Sequence, residues 1–532
     1  MNDPRTQLNQ FALTTPLYYV NGLPHVGSAY TTIAADAIAR FQKRQGKSVL
    51  LITGTDEHGQ KIQRAAQEAG RSPQERCDEI AGNFQELWRQ LNIQYDRFSR
   101  TTAPRHEAIV KEFFGRVWNR GDIYLGQQKG WYCVSCEEFK EERDLLEDRR
   151  CPLHPNQTVE WRDERNYFFA LSKYQQQLED LYQKRPDFIG PEIRRNEVLS
   201  FVKGGLQDFS ISRINLDWGF RVPNDPEHTL YVWFDALLGY VTALLDEGQE
   251  ATLENALARW WPINLHLIGK DILRFHAVYW PAMLMSAGLP LPDRVFGHGF
   301  LTKDGHKMSK TLGNIIDPVE LVEKYGADAV RYYFLKEIEF GKDGDFNETR
   351  FINILNADLA NDLGNLLNRT LRMAHKYCGG TVPRIDPEEL NSEHPLKTIG
   401  LGLGERVALA YESLAFHQAC EETLILVRSC NKFLDDRAPW TLYKQGELKA
   451  VEEVLYVVLE SVRLAAYLLS PIVPGLSTAI YQQLGFEVNF DDPATGEDIS
   501  FECHSRWGHL DGDRPFQKPS PVFARLELPA TP

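Results

Sequence analysis

The sequence lacks any run of about twenty apolar residues, the length a helix needs to cross a hydrocarbon layer, so no segment reads as a membrane span. Met1 to Gln10 is polar, with neither a hydrophobic core nor an Arg/Ser-rich amphipathic pattern, so no targeting leader is expected there. A cytoplasmic protein is the reading. Cysteine is sparse, 8 in 532 residues, which excludes a disulfide-stapled scaffold. Positive charge is in deficit, with 59 Lys and Arg against 74 Asp and Glu and a net charge of −15. That excludes bulk, sequence-blind nucleic-acid binding, which depends on many phosphate contacts. It leaves open a partner recognised by shape and unstacked bases. Internal repeats and low-complexity linkers are absent.

What is present is length enough for two to four domains and an ordinary soluble composition, 43% hydrophobic and 25% charged. The first half alternates. Phe11 to Thr15 reads as a strand and Ala29 to Arg40 as a helix; Val49 to Thr53 is a buried strand, and Gln60 to Ala69 a helix stopped by Gly70. Leu265 to Ile268 and Val295–Phe296 repeat the strand theme. Such alternation predicts an α/β, doubly wound Rossmann-type parallel sheet. The pattern breaks over 121–210, a cysteine-bearing, charge-rich insertion that divides the sheet into halves at 1–120 and 211–349. From 350 to 532 long helical spacings (Ile352 to Tyr377, Glu405 to Leu434, Val451 to Leu469) predict an all-α helical bundle.

Ligands of doubly wound sheets bind beyond the carboxyl ends of strands, where helix N-termini offer free N–H groups. The first strand runs into Thr15-Pro-Leu-Tyr-Tyr-Val-Asn-Gly-Leu-Pro-His25-Val-Gly27-Ser28. Gly27 lets a nucleotide approach the backbone closely, and His25 can donate to a phosphate oxygen. Late in the same half stands Lys307-Met308-Ser309-Lys310-Thr311, flanked by Gly305 and Gly313. Two ammonium groups three residues apart can grip a triphosphate and stabilise a departing pyrophosphate. Either motif alone is more often a solvated turn or a basic loop than a nucleotide contact.

In the 121–210 stretch, Cys133-x2-Cys136-x14-Cys151-x2-His154 has the spacing of a zinc knuckle, two short ligand pairs closing a tetrahedron around one structural Zn2+. Four protein ligands leave no position open for chemistry, so the metal is read as structural.

Together the HxGx turn and the KMSK loop resemble the paired signatures of class I aminoacyl-tRNA synthetases. Ser28 stands where that family usually has a second histidine, and Thr311 replaces a serine while keeping the hydroxyl. Four further strings resemble the methionyl branch over nearly the whole chain. They are Thr53-Gly-Thr-Asp56-Glu-His58, Tyr231-Val-Trp233-Phe-Asp235-Ala236, Ile268-Gly-Lys-Asp271-Ile272, and Phe300-Leu-Thr302 before the lysine loop.

The resemblance implies a methionine–tRNA ligase that uses ATP with Mg2+, with tRNA(Met), initiator and elongator, as partner. It implies His25, Gly27, Ser28, Asp271, Lys307, Met308, Ser309 and Lys310 around ATP, of which His25, Gly27, Ser28, Lys307 and Lys310 are catalytic. Periodicity agrees for the amino-acid slot: Trp233, Ala236 or Leu237, and Tyr240 share one helix face, as do His276 and Trp280. With Leu17, Tyr19 and Ile272 these would make an aromatic slot suited to a polarizable thioether. A core aromatic stripe explains each of them singly.

Asp56, just past a buried strand, is assigned the substrate ammonium, while Arg213 is either an orienting group for Asp271 or the substrate carboxylate, or a satisfied ion pair. Asn365, Arg369 and Trp440 are implied to read the anticodon, although Trp440 by itself reads as a buried packing residue. A leucyl, valyl or isoleucyl enzyme is disfavoured because 121–210 is too short for an editing domain. A catalytically dead tRNA-binding relative is disfavoured by intact His25, Gly27, Asp56, Lys307 and Lys310. The ending near Pro532 suggests a monomer.

Overall fold

The computed structural model describes residues 9–134, 138–140, 142–152, 154–214, 216–308, 314–492 and 497–528, without the side chains of 154–157 and 307. It divides into two units. One holds the chain up to Pro24, Val49–Arg89 and Gln94–His298; the other holds His25–Ser48, Gln90–Ile93 and everything from Gly299 on.

The first unit is built on six strands: β1 (Gln10–Tyr19), β2 (Ser48–Asp56), β3 (Arg97–Arg100), β4 (Ile189–Gly190), β5 (Leu265–Gly269) and β6 (Val295–His298). Their order is β3-β2-β1-β5-β6-β4. Parallel pairing sets Leu13 beside Leu265, Ile268 beside Gly297, and Thr53 beside Phe98. Strands covered on both faces read as continuous apolar runs, which is why Val49 to Ile52 and Leu265 to Ile268 were legible. Chain order reverses between β1 and β5, so the carboxyl ends of these two neighbours form the natural ligand crevice. The doubly wound expectation therefore holds.

The 121–210 boundaries are corrected in one respect. Ile189–Gly190 lies inside that stretch yet pairs in parallel with Val295–Phe296 as the sheet's edge. Two residues carry no periodicity, and only a tertiary partner identifies them as a strand. The longest strands of the insertion are antiparallel, Ile123–Cys133 pairing with Glu160–Phe169 from Ile123↔Phe169 to Tyr132↔Glu160, and the helices Gln175–Lys184 and Glu192–Lys203 follow them. Glu138–Lys140 and Phe209–Ser210 extend that sheet.

The second unit contains a helix, Val26–Arg44, that alternation alone assigns to the first half of the sheet domain. Its side chains explain the grouping. Phe41 stacks on Tyr411 (4.9 Å, 19°), and Tyr30 meets the edge of Phe340 at 5.3 Å. Asp36 pairs with Arg331 at 2.6 Å and with Arg40 at 2.7 Å, both arginines being buried. Arg331 also donates to the carbonyls of Ile472 (2.7 Å) and Pro471 (2.9 Å), so no donor of this buried cation is wasted.

Long helices Phe416–Arg437 and Leu448–Leu469 form the bundle predicted for the C-terminal half. No helix among the described residues is long and apolar enough to cross a membrane. Before the bundle, Leu301–Lys303 and His306–Lys307 make a hairpin around Asp304 (φ 52°) and Gly305 (φ 75°), with Gly344–Phe346 in parallel beside it.

Candidate active site

In the second unit His25 caps the helix Val26–Arg44. The Gly27 N–H donates to His25 Nδ1 at 3.0 Å; the His25 N–H donates to Ser28 Oγ at 3.1 Å, and that hydroxyl donates back to the His25 carbonyl at 2.7 Å. This is a capping box in which an imidazole replaces the usual short side chain. Because Nδ1 accepts, the ring proton sits on Nε2, leaving an exposed N–H donor beside the positive end of a 19-residue helix. Gly27 leaves room for this ring, since a Cβ there would lie 2.9 Å from His25 Cε1 and displace the imidazole. Ser28, expected among the ATP contacts, is buried with its hydroxyl engaged by backbone, so it shapes the cap from behind.

Lys307 lies in the second strand of the Leu301–Lys307 hairpin, with Thr302 as its partner, and half-buried Met308 follows it. The Lys307 side chain, Ser309, Lys310 and Thr311 fall outside the described residues.

In the first unit Leu17 and Tyr19 share the face of β1 opposite Tyr18, which stacks on Phe84 at 5.2 Å. Leu17 comes so close to Gly239 that a Cβ there would be 2.3 Å from Leu17 Cδ1 and would force that methyl to move. Tyr240 follows, its hydroxyl 2.8 Å from His276 Nε2. His276 Nδ1 lies 3.0 Å from the Ile272 carbonyl and donates to it, so Nε2 is the acceptor and Tyr240 the donor.

Burial lowers the His276 pKa to about 4, so the ring is neutral at physiological pH. Burial raises the Tyr240 hydroxyl above the ordinary phenol range; a hydrogen bond to the Leu17 backbone opposes the rise, and Tyr18 and Asp56 add smaller upward contributions. Trp233 stacks on Phe275 (3.8 Å, 6°) and meets His276 edge-on at 6.3 Å. Ala236 and Leu237 are buried, while Trp233, Ile272, Leu17 and Tyr19 keep partial exposure. The result is an uncharged aromatic lining.

Trp280, expected in that lining, is wholly buried against Phe113 and Trp261, each at 6.1 Å, on the core side of its helix. Phe275 and His266 were missed. Phe275 adjoins His276 in sequence and carries the Trp233 stack; His266 lies on β5, 4.8 Å from the Tyr240 ring and 2.8 Å from Thr14 Oγ1. A histidine inside an apolar strand was the available signal.

Asp56, the last residue of β2, is buried and its carbonyl accepts from the Val20 N–H at 3.2 Å. The next carboxylate, Glu57, is fully buried and accepts from Arg100 Nε (2.7 Å), Thr55 Oγ1 (2.6 Å) and Thr102 Oγ1. Asp271 is exposed just past β5. Arg213 makes no bond to it: the buried guanidinium donates to Ser210 Oγ (2.8 Å) and the Ser212 carbonyl (2.7 Å), and lies 4.3 Å from the Tyr231 ring.

Of the four expected metal ligands, Cys133 and Cys151 are buried and share one small apolar cluster with Val159, flanked by Trp131 and Leu145. Cys136 and the His154 side chain lie outside the described residues. In the bundle Asn365 closes a π-helical stretch and Arg369 sits one turn on, its guanidinium 2.8 Å from Asp435. Trp440 is 37% exposed, contrary to a packing role. Tyr443, three residues along the same helix, stacks on Tyr377 at 4.1 Å, an aromatic pair that periodicity did not single out.

Two family models match the chain. That described as tRNA synthetases class I (M) covers 11–156 and 143–371, and the anticodon binding domain of methionyl tRNA ligase covers 404–527. A methionine–tRNA ligase of Nostoc sp. is 71% identical over 97% of this chain and 97% of its own; one of Synechocystis sp. is 67% identical over 98% of each. The methionyl-tRNA synthetase of Mycobacterium tuberculosis, solved with methionyl-adenylate, superposes with a TM-score of 0.90 at 42% identity, covering 97% of this chain and 100% of that one. The chain belongs to the methionyl-tRNA synthetase family, class I.

Proposed function

We propose that the chain joins methionine to tRNA(Met), initiator and elongator alike, using the site residues expected from its sequence. The methionine carboxylate attacks the α-phosphorus of ATP, giving methionyl-adenylate and pyrophosphate; the 3′-terminal hydroxyl of the tRNA then takes the methionyl group and AMP leaves. What carries the reading is the uncharged aromatic lining around Tyr240 and His276, with a buried carboxylate, Asp56, at the end of β2 in the same unit. Neutral His276, Tyr240, Trp233 and Leu17 suit a thioether, and Asp56 suits its ammonium. His25 Nε2–H donates to phosphate oxygen at the helix N-terminus, while Lys307 and Lys310, with Met308 and Ser309, hold the β- and γ-phosphates of MgATP. Asp271 faces the nucleotide from the end of β5.

Methionine-dependent exchange of pyrophosphate into ATP tests this reading. Exchange supported by leucine, valine or isoleucine but not methionine would overturn it. For Lys310→Ala we expect kcat for exchange to fall roughly 100-fold with the methionine KM little changed, because its partner charge develops in the transition state.

Zinc fits the insertion. Two buried thiols from separate strands, Cys133 and Cys151, converge in a cluster too small to fold on apolar burial alone. With Cys136 and His154 they supply the four soft donors of a structural zinc site, which would hold the hairpins of 121–210 together. The anticodon is read by Asn365, Arg369 and Trp440, amide, guanidinium and indole being the groups that hydrogen-bond and stack on unpaired bases. The enzyme acts as a monomer in the cytoplasm, and light scattering at micromolar concentration checks the former.

A further inference from the structure

Outside the groups assigned to substrate, the first unit holds a buried polar cluster. Asp235 is 1% exposed and its two carboxylate oxygens each take one imidazole: Oδ2 is 2.5 Å from His58 Nδ1, and Oδ1 is 2.7 Å from His106 Nε2. His106 Nδ1 in turn lies 2.7 Å from Thr242 Oγ1. The Phe220 ring closes over both imidazoles, 4.6 Å from His58 and 5.8 Å from His106. Four elements meet there. His58 follows Asp56 by two residues and Glu57, locked by Arg100 and Thr102, stands between them. Asp235 shares its short helix with Trp233, Thr242 shares another with Tyr240, and His106 comes from the helix Pro104–Asn119. The ends of the cluster are thus the groups read as the ammonium and thioether contacts.

We propose that Asp235, with His58 and His106, is a positioning device for the amino-acid slot. It fixes the distance between the Asp56 carboxylate and the Trp233–Tyr240 wall, and so the length of side chain the slot accepts. The inference rests on the reading of Asp56, Trp233 and Tyr240 as methionine contacts. Burial opposes the Asp235 charge, but the two imidazoles outweigh it and pull the carboxyl down to about 2, so the clamp stays ionised. A buried carboxylate with two directed donors has one well-defined position, which a mobile apolar contact would not provide.

Asp235→Asn removes the charge and leaves one imidazole without an acceptor. In ATP–pyrophosphate exchange we expect the methionine KM to rise roughly 10- to 100-fold, with the ATP KM unchanged within about twofold. We also expect discrimination against homocysteine and norleucine to narrow. Two conservative variants should rescue: His58→Asn and His106→Gln place an amide N–H where the ring N–H stood, and both should keep the methionine KM near wild type, whereas His58→Leu and His106→Leu should raise it. Trp233→Ala is the control for the underlying reading.

If Trp233→Ala raises the methionine KM and Asp235→Asn does not, the positioning role is wrong. If neither does, the slot itself is misplaced. An equal rise in both substrates' KM, or loss of activity with a lowered melting temperature and no rescue, would show a merely structural cluster. Should Asp235→Asn fail to fold, the two His106 variants decide: equal methionine KM in His106→Gln and His106→Leu overturns the proposal.

Discussion

His276 shows how much one buried ring decides. Its Nδ1–H is committed to the Ile272 carbonyl, its Nε2 takes the Tyr240 hydroxyl, and burial lowers its pKa from 6.5 to about 4. On the proposed reading a cation there would repel the methionine ammonium, whereas a neutral acceptor tolerates it. The folded pKa lies below the unfolded one, so between pH 6.5 and 4 the unfolded chain binds more protons and stability rises with pH. The contribution is fully present above pH 6.5 and is lost as pH falls towards 4, amounting to at most about 3 kcal/mol. Chemical denaturation should show wild type losing stability over that window and His276→Asn losing less. Parallel curves for the two would mean that His276 is charged, or not buried, in solution.

At the scale of elements, the helix Val26–Arg44 is defined by its first turn. His25 folds back over Gly27, its Nδ1 taking an N–H that would otherwise be unsatisfied, which directs Nε2–H outward. Gly27→Ala places a methyl 2.9 Å from the ring and must push it aside. Alanine also favours helix by roughly 1 kcal/mol over glycine. We therefore expect kcat for adenylate formation to fall on the order of 100-fold with an unchanged or raised melting temperature, measured by exchange and calorimetry. A normal kcat would show that the imidazole does not serve the phosphates.

The knuckle makes a second expectation at this scale. Cys151→Ser should lower bound zinc, measured by atomic absorption, from one per chain to none. It should also expose the 121–210 hairpins to proteolysis while Gly299 onward resists.

Across the whole molecule, on the proposed reading, the two substrates are read in different places: amino acid in the first unit, tRNA anticodon in the bundle of the second. Trp440 is 37% exposed and lies in the bundle, so its removal should leave adenylation alone. Stacking on one base is worth roughly 1–3 kcal/mol, so Trp440→Ala should lower kcat/KM for tRNA by about 10- to 100-fold, with methionine-dependent exchange at the wild-type rate. Normal charging would refute the assignment. Arg331 tests integrity at the same scale. Replacing it by alanine leaves Asp36 with Arg40 as its one remaining cation and takes the donor from the buried carbonyls of Ile472 and Pro471, and should destabilise the second unit by about 3–5 kcal/mol in denaturant titration.

The alternating strands and helices, the HxGx and KMSK pair, and the spacing of Cys133, Cys136, Cys151 and His154 were all legible in the amino-acid order. Periodicity and short motifs are local, and the backbone expresses them wherever the chain folds. Tertiary structure alone decided three things. Ile189–Gly190 became a strand because Val295–Phe296 offered a parallel edge, which no two-residue pattern announces. The Val26–Arg44 helix joined the C-terminal unit because Asp36 found Arg331 almost three hundred positions away, beyond any spacing rule. Trp280 went to the core and Trp440 to the surface, though both lie on helices, because an indole's exposure depends on which partner the fold brings to its face. Asp235 belongs to that last group: its neighbours marked a motif, but only the meeting of His58 and His106 on its two oxygens revealed what it holds in place.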